Sequence, residues 1–194
     1  MAIKKIYLDV ETTGTDKDKH GIIQLSGMVE LDNQVMETFD YKVKPFSLDD
    51  VDQDALKVGG FTDSQLATFE RPGIVYFKFS KMLDSYVDKY NKQDKFHIIA
   101  YNAGFDDGFL RAWFKRNGGK YYGSYFFWPP IDVANMAAYH FMETRSQFPN
   151  FKLMTVAKYI GIEVDESRDH DAMYDIEVTK EILKRIVEAK HDSN

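Results

Sequence analysis

The chain has 194 residues, 44% hydrophobic and 29% charged, a balance that supports a buried core and excludes a disordered chain. Cys is absent, which excludes disulfides and thiolate metal centres. A net charge of −6 excludes a protein that grips long stretches of nucleic-acid backbone with a basic face, but not one that holds a few terminal nucleotides around a metal centre.

The N-terminal segment passes straight into a strand pattern from Ile3 to Val10 and shows no secretory apolar region. Gly21 to Leu31 and Val35 to Val43 are predicted as two more strands joined by an Asp32-Asn33 turn, giving an antiparallel meander. Short helices are expected over Asp50 to Lys57 and Asp63 to Thr68, either side of the Gly59-Gly60 break. Pro72 suits the first turn of a longer helix running to about Tyr90. Phe96 to Tyr101 is predicted as a buried strand, and Phe105 to Arg116 as a helix stopped by Gly118-Gly119. Tyr125 to Trp128 is expected to be a strand ended by Pro129-Pro130. Helices follow over Ile131 to Phe141, Leu153 to Ile160 and Asp171 to Ala189. Strands in a meander, then strands alternating with helices, imply a mixed sheet with helices on its faces. No apolar run approaches the roughly 18 residues of a membrane span, so a cytoplasmic protein without membrane contact is expected.

Three distant fragments carry acids: Asp9-Val10-Glu11-Thr12-Thr13-Gly14, Asn102-Ala103-Gly104-Phe105-Asp106, and His170-Asp171-Ala172-Met173-Tyr174-Asp175. Asp9 and Glu11 lie two apart on a strand and so share a face near its carboxyl end. Asp106 opens the helix after the fourth strand, where an acid also complements the helix dipole, and Asp107 competes with it for the site. Asn102 reads equally as a turn residue and as a site residue. His170 and Asp175 are five apart, which suits separate roles: Asp175 as a ligand and His170 as a base. Clustered carboxylates repel one another, and bound cations relieve that repulsion. Two divalent cations would explain four acids, and phosphodiester hydrolysis is the chemistry such a pair performs.

These fragments resemble the three motifs of the DEDDh 3′→5′ exonucleases, the group that includes polymerase III proofreading subunits and ribonuclease T. The resemblance covers about Ile3 to Val187, and the whole chain 1–194 is expected to form one exonuclease domain. It implies a ribonuclease H-like α/β fold: a mixed five-stranded sheet, three antiparallel strands plus two parallel ones, with helices on both faces. It also implies release of nucleoside 5′-monophosphates from a single-stranded 3′ end, with DNA favoured over RNA. Asp9, Glu11, Asp106 and Asp175 would bind two Mg²⁺ or Mn²⁺, and His170 would be the general base. Thr12 and Thr13 would lie against the terminal sugar, Phe105 near the terminal base and Asn102 at the adjoining turn. Asp171 stands where a tyrosine-type relative would have its Tyr, so the histidine type is implied. One departure concerns Gly59, which replaces a His that reaches the terminal nucleotide in relatives; Phe61 packs or stacks there instead. The resemblance leaves open a ribonuclease T-like RNA trimmer, a polymerase partner, a homodimer and a binding subunit that has lost its chemistry. Lys115, Arg116 and Lys120 read either as a basic patch or as a solvated helix end.

Overall fold

A computed structural model describes residues 2–168 and 171–191. Among these residues one mixed sheet has the strand order β3-β2-β1-β4-β5. Strands β1 (Lys4–Thr12), β2 (Ile22–Leu31) and β3 (Gln34–Lys42) form the expected antiparallel meander. Asp32 and Asn33 both take positive φ, 47° and 69°, the conformation a two-residue hairpin needs to match the twist of its strands. Helices α1 (Gln53–Val58), α2 (Asp63–Thr68) and α3 (Pro72–Tyr86) precede β4 (Phe96–Ala100), which pairs parallel to β1. Helices α4 (Ala103–Arg116) and α5 (Tyr122–Tyr125) lead to β5 (Ile131–Asp132), parallel to β4. Helices α6 (Val133–His140), α7 (Leu153–Tyr159) and α8 (Ala172–His191) complete the fold.

The alternation along β1 divides the interior. Ile6, Leu8 and Val10 pack with Phe79 and Leu83 of α3 and Phe109, Leu110 and Trp113 of α4. Tyr7 packs on the opposite face with Val133 and Ala137 of α6, Val156 of α7 and Ile176, Ile182 and Ile186 of α8. Helices therefore cover both faces, and the odd-numbered residues of β1 point toward α8. Because β1 and β4 run parallel, their carboxyl ends lie at the same edge of the sheet. No helix among the described residues is long and apolar enough to cross a membrane.

Two elements differ from expectation. Tyr125 to Trp128 is not a strand: Tyr122–Tyr125 is a helical turn, Phe126 makes only an isolated bridge to Phe96, and the fifth strand is Ile131–Asp132. The reason is spacing. Tyr122, Tyr125 and Phe126, at i, i+3 and i+4, all turn onto Phe114, with ring centroids 5.1, 6.3 and 6.1 Å away. Aromatic packing at helical spacing prevails over β-propensity, and the helix expected from Ile131 starts at Val133. Helix α3 stops at Tyr86 rather than near Tyr90. There the ammonium of Lys4 bonds the Tyr86 carbonyl and the Asp94 carboxylate, while Asp94 accepts the Asp88 N–H at 2.9 Å, so the chain turns back into β4.

Candidate active site

The carboxyl edge of β1 and β4 gathers the acids. Asp9 and Glu11 stand opposite Ser26 and Gln24 of β2. Asp106, in the first turn of α4, is 4% exposed and its Oδ1 accepts the Val10 N–H at 3.0 Å. Asp175 comes from the first turn of α8. Burial pushes the Asp9 carboxyl well above its ordinary range, and the charges of Asp106, Glu11 and Asp175 add to the effect. Burial also pushes Asp106 up to about 8, against the N–H bonds of the backbone and with the charges of Glu11 and Asp132. Three elements thus bring four carboxylates within electrostatic reach. Among the described residues no three His, Asp or Glu side chains already stand close enough together to hold a metal ion. His170, expected as the base, lies outside the described residues.

The structure supplies a reason for Asp106 rather than Asp107. The Asp107 carboxylate accepts the Tyr122 hydroxyl at 2.5 Å and pairs with Arg111 at 3.4 Å, and the Arg111 guanidinium lies 4.3 Å from the centre of the Tyr122 ring. Asp107 is anchored to α5, which leaves its neighbour to face β1. Asp171 caps α8, accepting from Met173 and Tyr174 N–H at 3.1 and 3.3 Å, and pairs with Arg168 at 3.0 Å.

Asn102 sits in the left-handed region at φ 66°, where Asn is better tolerated than most residues. Its N–H donates to Asp132, which also caps α6 through Ala134 and Asn135 N–H. Asp132 thus joins the turns before α4 and α6, a role the sequence reading did not give it; an Asp just ahead of a helix was the available signal. The hydroxyls of both threonines are engaged by the backbone. Thr12 donates to the Gly14 carbonyl at 2.7 Å; Thr13, fully buried, donates to the Asp50 carbonyl at 2.6 Å and accepts the Gly21 N–H at 3.0 Å. His20 was also overlooked: its ring lies against Gly14, at 2.4 Å from where a Cβ would stand, and its Nδ1 accepts the Asp16 N–H at 3.1 Å. Gly14, with φ 158°, therefore needs its lack of side chain for room.

Phe105 packs at a tilt on Phe109, with ring centroids 4.7 Å apart, and lines a cleft of about 410 Å³ beside Thr15 and Lys17. Phe61 packs on Phe69 at 5.8 Å and lies under the Lys42 ammonium. A Cβ at Gly59 would meet the Phe61 ring at 3.0 Å and the Glu11 Oε2 at 3.2 Å, so the departure noted in the sequence falls directly beside a site acid. Arg116 is held by Asp49 and lies 4.2 Å from the centre of the Phe46 ring, which makes it part of the scaffold.

A mixed sheet in this strand order, covered on both faces and carrying acids at its carboxyl edge, defines the ribonuclease H-like class. Residues 6–183 match the exonuclease family model, and the chain belongs to that family. It is 25% identical over 182 residues to the PolC-type DNA polymerase III of Bacillus cereus, covering 94% of this chain and 11% of the polymerase. It is 26% identical over 193 residues to ribonuclease T of Haemophilus ducreyi, covering 96% of this chain and 86% of that one. The fold matches E. coli exonuclease I in a zinc-bound complex with single-stranded DNA, with a TM-score of 0.76 and 23% identity over 98% of this chain and 41% of that one. The chain thus spans only a small part of the polymerases it matches and less than half of exonuclease I.

Proposed function

We propose that the chain hydrolyses single-stranded ends in the 3′→5′ direction, releasing nucleoside 5′-monophosphates, with DNA favoured over RNA, and that residues 1–194 act as one exonuclease domain. One observation carries the reading: β1, α4 and α8 bring Asp9, Glu11, Asp106 and Asp175 together closely enough that the other three charges add to burial in opposing the ionisation of Asp9. A donor set made wholly of carboxylate oxygen suits Mg²⁺ or Mn²⁺. Asp9, Glu11, Asp106 and Asp175 would hold two such ions, which would supply Lewis acidity at the scissile phosphate.

The remaining work falls to the chain's own residues. Val10 N–H fixes the orientation of Asp106. Asp171 and Arg168 fix the start of α8, and with it Asp175. His170 takes the proton of the attacking water. Phe105 and Phe61 flank the terminal nucleotide and offer it aromatic faces, with Thr12 and Asn102 at the turns beside it.

The test is a 5′-labelled oligonucleotide incubated with purified protein and Mg²⁺. A descending ladder, abolished by EDTA and by Asp9→Ala, supports the proposal; full activity in the Asp9→Ala protein removes it. The likeness to ribonuclease T over most of that protein's length favours a second reading, 3′ trimming of RNA by a homodimer. Matched DNA and RNA ladders with a sedimentation measurement separate the two. The polymerase likeness supports an association with a polymerase, checked by co-purification.

A further inference from the structure

The loop after β1 carries a cation, Lys17, beside the cleft that Phe105 lines. Thr15 and Lys17 form one wall of the 410 Å³ cleft; Gly104, Phe105 and Gly108 form the other. Both walls continue directly from site acids, since the loop follows Glu11 and Phe105 precedes Asp106. The volume lies within the range of about 300–1,000 Å³ typical of small-ligand sites. The two glycines are one helical turn apart on α4, and a Cβ at Gly104 would meet nothing within 4 Å. At Gly108 a Cβ would stand 3.3 Å from Cδ of Lys17, so the Lys17 stem lies against α4 beside the cleft it lines. Asp16, on the same wall, is tied back to the Asp18 N–H at 3.0 Å and to Lys19 at 3.4 Å.

The geometry points to Lys17 as a strand-binding residue whose ammonium holds the phosphodiester on the 5′ side of the scissile bond, across the cleft from Phe105, which keeps the terminal base. The assignment rests on the exonuclease reading and deepens it. An anionic substrate entering an acidic chain needs a cation where the strand leaves the metal centre. Lys17 is suited to this because its present partner is weak. Asp18 lies 3.0 Å away, with side-chain exposures of 50% for Lys17 and 76% for Asp18. An exposed pair of this kind contributes little and yields to a phosphate.

The experiment is fluorescence anisotropy of a labelled oligothymidylate with Ca²⁺ in place of Mg²⁺, over a series of salt concentrations. Lys17→Ala is expected to weaken binding roughly three- to tenfold. It should also reduce the slope of log affinity against log salt by about 0.7, the value of one phosphate contact on a single strand. Lys17→Arg should retain the wild-type slope, and so should the surface control Lys184→Ala. An unchanged slope in Lys17→Ala overturns the assignment, as does failure of the wild type to bind. Lower affinity at unchanged slope also overturns it, because a structural disturbance would lower affinity without altering the number of ions released. A wild type that binds with the expected slopes but yields no ladder in Mg²⁺ supports the contact and refutes the nuclease reading instead.

Discussion

Replacing Asp106 by Asn should stabilise the metal-free protein while abolishing turnover. Asp106 is buried and its carboxyl is pushed from its ordinary 3.8 up to about 8. The folded protein therefore keeps a proton that the unfolded chain has released, so stability falls as pH rises from about 4 to about 8 and levels off above that. Each pH unit in that window costs about 1.4 kcal/mol, and the interval from 3.8 to neutrality comes to about 4 kcal/mol. Asp9 is opposed by burial and by the charge of Asp106, so removing one charge from the cluster should recover about 2–4 kcal/mol. Asn keeps the volume and can still accept the Val10 N–H. The assay is urea unfolding in EDTA at several pH values. Asp106→Asn should gain almost nothing near pH 4, clearly near pH 7 and most from about pH 8 upward, and added Mn²⁺ should stabilise the wild type much more than the variant. A variant less stable than wild type in EDTA near neutrality, or a gain independent of pH, would refute the account of a carboxylate whose charge is opposed by burial and by neighbouring acids.

Glu30 behaves in the opposite sense. Burial opposes its charge, but Lys180 and Lys5, at 2.5 and 2.8 Å, prevail and hold its carboxyl below the ordinary value of 4.5. Its contribution is present above about pH 4.5 and is lost as the pH falls, so Glu30→Gln should cost about 3 kcal/mol near neutrality, a deficit that shrinks in acid unfolding. Gly59→Ala should lower exonuclease turnover more than stability, because the new Cβ would lie 3.2 Å from Glu11 Oε2; parallel rate and melting measurements check this. Phe114→Ala, at the centre of the α3–α4–α5 aromatic cluster and 1% exposed, should cost about 3–5 kcal/mol by thermal or urea unfolding.

The meander and the acid motifs were legible because they rest on local rules. Strand alternation places Asp9 and Glu11 on one face, and the Asp32-Asn33 turn fixes the hairpin. What was not legible depended on partners distant in sequence. The Tyr122 to Trp128 stretch has strand composition, yet its three inward aromatics have helical spacing and meet Phe114, which sequence alone does not place. The choice of Asp106 over Asp107 could be made by motif only; its physical reason, the Tyr122 and Arg111 anchor, is tertiary. The threonine hydroxyls illustrate the same limit. A motif places them beside a substrate, while the folded backbone engages both.

The most direct test of the central claim is isothermal titration of Mn²⁺ into the purified protein. Two ions per chain are expected, with binding reduced in both Asp9→Asn and Asp175→Asn proteins that remain folded by circular dichroism. No heat of binding in the wild type, or unchanged binding in both variants, would contradict the claim that these distant acids form one metal-holding site.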